Sequence, residues 1–224
     1  VNAPDAVARF TGFADHYDRM RPEPPPELPD VLTQWADVSA PEVVDLGAGT
    51  GLSALLWSGR AARVTAVEPS ADMRALAERR FAGLPEVARL LRPGGVFAAF
   101  DCDWPPCVDA ETDTAYAAFE AAYRDVEVRR GVRPPHAAKA GHLGRMRESG
   151  LFRHTVEIAL HKRDTGDAER LLGLALSQGG VVALLAAGTT EEEIGLTRLR
   201  EVAARRLPEP RAWWWTYRVR LGVR

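Results

Sequence analysis

Val43-Val44-Asp45-Leu46-Gly47-Ala48-Gly49-Thr50-Gly51 decides how the rest of the chain is read. Two β-branched residues run into an acid, and three glycines follow at alternate positions. The apolar start predicts a buried strand. The glycines predict a turn where backbone passes close under a ligand, before Leu52-Ser53-Ala54-Leu55-Leu56 opens a helix. A second strand, Arg63-Val64-Thr65-Ala66-Val67, ends at Glu68, which stands 17 residues beyond Gly51. Strand, glycine turn, helix and strand, with an acid at the second tip, predict a nucleotide-binding half of an α/β sheet.

The spacing narrows the ligand. A dinucleotide fingerprint, G-x-G-x-x-G, needs its third glycine at position 52, and that residue is Leu52. The run D-L-G-A-G-T-G followed by V-E-P-S instead resembles the class I S-adenosylmethionine-dependent methyltransferases. More narrowly, the chain resembles the small-molecule group of type 11 methyltransferase domains. The likeness takes in Tyr17-Asp18-Arg19-Met20-Arg21-Pro22 before the first strand and Leu91-Arg92-Pro93-Gly94-Gly95 before a later one. It also takes in the terminal Trp215-Thr216-Tyr217-Arg218-Val219-Arg220-Leu221-Gly222.

The resemblance implies a Rossmann-like, doubly wound α/β sheet of seven strands in the order 3-2-1-4-5-7-6. That sheet is mostly parallel with one antiparallel strand, and helical cap elements are added to it. The resemblance also implies S-adenosyl-L-methionine as cofactor. In such a site Gly47, Ala48, Gly49 and Gly51 pass under the aminoacyl part, and Asp45 helps hold the ammonium. Glu68 accepts from the ribose hydroxyls, and Pro69, Ser70 and Met73 lie near the adenine. Tyr17 and Arg21 are expected to close over the cofactor. Ligands of such sheets bind beyond the carboxyl ends of the strands, so Asp103 and Trp104 are candidate substrate-pocket residues. His16 is a weak candidate base because of its neighbours. The catalytic residues stay unassigned. A sulfonium methyl is already activated, so alignment supplies much of the rate and no catalytic dyad is required.

Composition bounds the alternatives. Hydrophobic residues make up 46% and charged residues 27% of 224, as in an ordinary globular domain. A net charge of −2 gives no electrostatic reason to expect nucleic acid. Cys102 and Cys107 form neither a C-x-x-C pair nor a zinc set, and the five histidines lack ligand spacing, so no metal site is expected. No apolar run approaches the length of a membrane span and the N-terminus has no apolar signal region; a cytoplasmic location without membrane partners is the expectation.

Along the chain, residues 1–40 read as an N-terminal helical lid: Phe10, Phe13 and Tyr17 make one apolar stripe, and Pro24-Pro25-Pro26 separates it from a second helix. Residues 41–164 read as the Rossmann-like core, 165–207 as a helical cap insertion and 208–224 as the final strand, all in a single domain. Ser70 is a candidate N-cap for a helix over Ala71 to Arg80. Leu84 to Leu91 reads as a short helix, and Val96-Phe97-Ala98-Ala99-Phe100 as a central strand. A loop is expected around Gly179-Gly180 and a break at Gly188-Thr189. Two strands and a helix that the sheet requires find no room near Gly83 and Leu84, where roughly 30 to 40 residues are wanting. A sequence closed up over a segment of the natural chain is expected in preference to a true deletion.

The reading is therefore S-adenosylmethionine-dependent methyl transfer to a small-molecule acceptor by in-line displacement. A non-catalytic or degenerate protein of the same fold is the alternative, and a NAD-binding oxidoreductase a more distant one.

Overall fold

A computed structural model describes residues 14–80, 95–131 and 141–224. The expected helix at Leu84 to Leu91 and the wanting stretch at Gly83-Leu84 lie outside the described residues, as do Phe10, Phe13 and His136. The described residues divide into two compact units. One lies within Val1–Pro22, Trp104–Pro135 and Arg163–Trp215, the other within Glu23–Asp103, His136–Lys162 and Thr216–Arg224.

The second unit holds the glycine turn. Helix α1 (Ala14–Met20) belongs to the first unit, and α2 (Leu28–Ala36) opens the second. Pro29 sits in the first turn of α2, where its missing N–H costs nothing. Strand β1 (Glu42–Leu46) leads through the glycines to the short helix α3 (Leu52–Leu55), and β2 (Arg63–Val67) to α4 (Ala71–Arg80). β1 and β2 pair in parallel, from Glu42 opposite Arg63 to Leu46 opposite Val67. Strand β3 (Val96–Cys102) pairs antiparallel with β5 (Arg211–Val223), from Val96 opposite Val223 to Cys102 opposite Tyr217. Strand β4 (His154–Gly166) lies on the other side of β5, so the order is β3-β5-β4. Helix α6 (His142–Glu148) precedes β4.

Alternation decides the faces of this three-stranded sheet. Val219 and Leu221 are buried on one face against Leu28, with Ala98, Phe100, Val156, Ile158, Leu160 and the α2 residues Val31, Leu32 and Trp35 packed around them. At the intervening positions stands a charged ladder. Arg220, only 2% exposed, meets Asp101 at 2.5 Å and Glu157 at 2.8 Å. Arg218 meets Asp103 at 2.9 Å and Glu157 at 3.3 Å.

The seven-stranded, mostly parallel sheet expected from the resemblance is corrected by these ladders. The described residues form a two-stranded parallel sheet and a separate three-stranded sheet with β5 antiparallel to β3. Between β2 and β3 the described residues supply α4 and no strand. The consequence is visible in burial: Val44 is 46%, Leu46 69% and Val67 44% exposed. Parallel strands are normally covered on both faces, whereas here these three apolar side chains are exposed and Val43 and Val64 are half-buried.

The first unit is helical. Helix α5 (Ala110–Arg129) starts where the Asp109 carboxylate accepts from the N–H of Glu111 at 3.1 Å and of Thr112 at 2.9 Å. Tyr116, Phe119, Tyr123 and Val126 follow at helical spacing and are buried. Helix α7 (Ala168–Leu176) is capped by Asp167, which accepts from Arg170 N–H at 2.9 Å. Helix α8 (Gly179–Ala186) includes both glycines that the sequence had suggested as a loop. The break falls at Ser177-Gln178 instead, since Val181 and Leu184 gain burial if the helix starts early. Helix α9 (Leu196–Arg206) packs Leu196, Leu199, Val202 and Ala203 against α5 and α7. Met20 of α1 occupies the space that a side chain at position 173 would fill, so Gly173 lets α1 sit directly on α7. Among the described residues no single helix is long and apolar enough to cross a membrane.

Candidate functional site

The glycine turn is shaped by backbone that only glycine adopts without strain. Gly47, Gly49 and Gly51 have φ of 75°, 58° and 88°. Gly47 N–H and Ala48 N–H both donate to the Val67 carbonyl, at 2.8 and 3.2 Å, which ties the turn to the end of β2. Gly51 N–H donates to Ala48 O at 2.9 Å and closes it. A Cβ built on Gly47 or Gly49 meets no protein atom within 4 Å. The side chains that glycine omits would therefore fill open space above the turn, not packed protein.

Two carboxylates border this space. Glu68 turns back over the turn: one oxygen accepts from Gly49 N–H at 2.9 Å and the other from Ser70 N–H at 2.7 Å. Each oxygen has further lone-pair capacity. Asp45, at the end of β1, accepts from the Ser53 hydroxyl at 2.5 Å. Burial raises the Asp45 carboxyl above its usual range; the Ser53 bond works against that and the charge of Glu68 adds to it.

The expected adenine-side residues follow directly. Pro69 is exposed, while Ser70 and Met73 are each 2% exposed. Ser70 does not cap α4 through its side chain: its Oγ is buried and has no hydrogen-bond partner among the described residues. The structure thus brings Asp45, Gly47, Ala48, Gly49, Gly51, Glu68 and Ser70 together, with Pro69 and Met73 beside them on the chain.

The other candidates separate into the two units. Asp103, in the unit of the turn, is engaged by Arg218 through both carboxylate oxygens, at 2.9 and 3.0 Å, and its N–H donates to Thr216 O at 2.7 Å. In the helical unit, Tyr17, Arg21 and Trp104 form one cluster. The Arg21 guanidinium carbon lies 4.5 Å from the Tyr17 ring centre and 4.6 Å from that of Trp104. Trp104 Nε1–H donates to the Tyr116 hydroxyl at 3.1 Å, and Gln178 donates to the same hydroxyl at 3.2 Å. Tyr123 donates to the Gln178 carbonyl at 2.7 Å. Burial pushes the Tyr116 hydroxyl far above its usual range, so it stays protonated. His16 Nε2 donates to the Gly173 carbonyl at 3.1 Å, and any base function is left to its Nδ1. Sequence reasoning missed Tyr116 and Gln178, whose only signal was helical burial spacing. Among the described residues no group of three or more His, Cys, Asp or Glu side chains could hold a metal ion.

No protein-family model and no curated protein matches the chain. Solved structures do. A candidate type II methyltransferase from Anaeromyxobacter dehalogenans is 22% identical, with a TM-score of 0.63, over 91% of this chain and 97% of its own. A S-adenosylmethionine-dependent methyltransferase from Thiobacillus denitrificans, solved with S-adenosyl-L-homocysteine, is 16% identical at a TM-score of 0.42, over the whole of both chains. One from Geobacter sulfurreducens, also solved with S-adenosyl-L-homocysteine, is 15% identical at 0.41, over 100% of this chain and 99% of its own. The first likeness extends over nearly the full length of both chains, and this chain shares the fold of that protein.

Proposed function

We propose that the chain is a S-adenosylmethionine-dependent methyltransferase acting on a small molecule by in-line displacement. The observation that carries this reading is the Glu68 carboxylate held over an open glycine turn by Gly49 N–H and Ser70 N–H, with Asp45 on the same turn.

The charges fit this cofactor and not a dinucleotide. A pyrophosphate needs free N–H groups and positive potential at the turn. Here Gly49 N–H already serves a carboxylate, and a second acid stands at Asp45. Two acids suit a ligand with an ammonium at one end and hydroxyls at the other. Asp45 would face the ammonium, and Gly47, Ala48, Gly49 and Gly51 the aminoacyl part. Glu68 would take the ribose hydroxyls. The unpartnered Ser70 Oγ, with Pro69 and Met73, would border the adenine.

When bound, S-adenosylmethionine supplies a methyl group on a positively charged sulfur, already activated for displacement. The protein's share is then to bind, to orient and to keep water out, and proximity alone supplies several kcal/mol of such barriers. An acceptor that loses its proton late needs no general base.

A non-catalytic relative is the second reading, favoured by the exposure of Val44, Leu46 and Val67 on β1 and β2. Incubation with methyl-deuterated S-adenosylmethionine and a small-molecule extract separates the two. Under the proposal, mass spectrometry finds a deuterated product that forms only with active protein. Tight cofactor binding without any labelled product would favour the non-catalytic reading.

A further inference from the structure

We infer that Ser53 is a positioning residue for the cofactor's aminoacyl end: its hydroxyl holds the Asp45 carboxylate in the charged form and the orientation that an ammonium needs. This rests on the methyltransferase reading and adds to it the bond that keeps the site charged. Every residue involved lies within one compact unit.

Ser53 is fixed by its neighbours along the chain. Gly51 enters α3 at a φ of 88°, and Leu55 N–H donates back to the Gly51 carbonyl at 3.0 Å. Ala54 and Trp57 are buried, which sets the roll of this short helix. Ser53 itself is half-buried. A serine inside a helix commonly bonds a carbonyl of the preceding turn. Ser53 Oγ instead donates to Asp45 Oδ2, eight residues back at the end of β1, at 2.5 Å. That is the length of a hydroxyl donating to an ionised carboxylate. The other oxygen of Asp45 has no hydrogen-bond partner among the described residues and is available to a ligand.

The charges around Asp45 make that one bond matter. Burial and the Glu68 carboxylate both favour the protonated acid, and the Ser53 hydroxyl opposes them. Glu68 comes from the end of β2 and is held over the turn by Gly49 N–H and Ser70 N–H. Arg74 of α4 directs its Nη1 to the Glu68 carbonyl, at 3.0 Å, and Asp72 on the same helix is exposed. Arg63, the cation on β2, stands opposite Glu42 at the far end of the ladder from Asp45. Helix α3 carries no charged side chain. Among the described residues no cation bonds Asp45. An acid so placed takes up a proton early as pH falls, and a neutral acid is no counter-charge for an ammonium.

The alternative is that Ser53 only braces the turn. Removing a brace would weaken every ligand alike, at every pH. Removing a hydroxyl that keeps Asp45 charged leaves a different mark: the loss is confined to ligands with an ammonium, and it grows as pH falls. S-adenosylhomocysteine has the aminoacyl end and 5′-methylthioadenosine lacks it, so the ratio of their affinities isolates that end. Adenine and ribose are common to both ligands, and with them any titration of Glu68.

Native full-length protein and its Ser53→Ala, Ser53→Thr and Asp45→Asn variants are titrated with both ligands from about pH 4 to 7, where the ligand's ammonium keeps its charge. Over the same range the Asp45 carboxyl carbon is followed by NMR in the ligand-free native, Ser53→Ala and Ser53→Thr proteins, which reads its ionisation directly. Thermal unfolding checks that each protein is folded at each pH. Ser53→Cys, of nearly the same size and a weaker donor, replaces Ser53→Ala if that variant does not fold. The Asp45 midpoint in Ser53→Ala is expected at least about 0.5 pH unit above the native one, because a hydrogen bond to the charged form is lost. Below the native midpoint the ratio of S-adenosylhomocysteine to methylthioadenosine affinity is then at least about threefold lower than native, and it converges on the native ratio toward pH 7. Ser53→Thr restores both, and in Asp45→Asn the ratio no longer varies with pH. An unchanged midpoint in Ser53→Ala, or a ratio lowered equally at every pH, overturns the proposal. A ratio that keeps its native pH dependence in Asp45→Asn also overturns it and assigns the titration to another group. If native protein binds neither ligand, the methyltransferase reading fails instead, and the Asp45 midpoint, which needs no ligand, still decides for or against Ser53.

Discussion

Asp45 shows how the site trades stability for charge. Burial is the largest cause that raises its carboxyl above 3.8, with Glu68 pushing the same way and Ser53 partly offsetting both. In the unfolded chain this acid ionises near its ordinary value. Between that value and the raised one, the folded chain holds the extra proton, so stability falls as pH rises through that window. Asp45→Asn removes a buried charge but keeps an acceptor for Ser53. Its Tm at pH 7 is expected to rise, while affinity for S-adenosylhomocysteine falls because the ammonium loses its counter-charge. A fall in Tm with unchanged affinity would contradict both halves. Gly49 is governed by backbone instead. At a φ of 58° with nothing within 4 Å of a built Cβ, Gly49→Ala meets no clash and costs about 1–2 kcal/mol in backbone strain. Urea denaturation measures this, and a cost near zero would mean that the turn is not held as described. Local chemistry of this kind was legible in the sequence: the alternate glycines announced their positive φ, and Glu68 stood at the tip of the neighbouring strand. The Arg21 cluster was only half legible. Tyr17 and Arg21 share one helical approach, but nothing local announces that the ring of Trp104, over 80 residues away, comes within 4.6 Å of the same guanidinium.

At the scale of elements, the two sheets differ in how well they are covered. Leu221 of β5 is fully buried against α2, whereas Leu46 of β1 is 69% exposed. Leu221→Ala should cost about 2–5 kcal/mol, and Leu46→Ala no more than about 0.5 kcal/mol. Equal costs in chemical denaturation would show that β1 is covered in the folded protein. Elements with strong local signals matched their expected places. Helix α4 spans Ala71–Arg80, and the alternating terminal run became β5. Signals that depend on partners misled. Gly179-Gly180 reads as a loop because glycine is a poor helix former, yet at a helix start that penalty is small beside the burial of Val181 and Leu184. Ser70 reads as a cap, yet its hydroxyl is unpartnered.

For the whole molecule, the sheet was the least legible feature. The order of strands was carried over from a family resemblance, whereas hydrogen bonding depends on which strands are present to pair. Among the described residues five strands in two ladders stand where seven were expected, and the parallel pair bearing the glycine turn leaves Val44, Leu46 and Val67 exposed. The turn survives this because its bonds are local to β1, β2 and Glu68. The central claim is that this turn holds S-adenosylmethionine with Glu68 on the ribose. Calorimetric titration of S-adenosylhomocysteine into native protein and Glu68→Ala tests it most directly. The account predicts saturable one-to-one binding to the native protein, at least about tenfold weaker binding to the variant, as loss of charge-assisted hydrogen bonds implies, and no binding of NAD to either. Absence of heat with native protein, or unchanged affinity in Glu68→Ala, would contradict it.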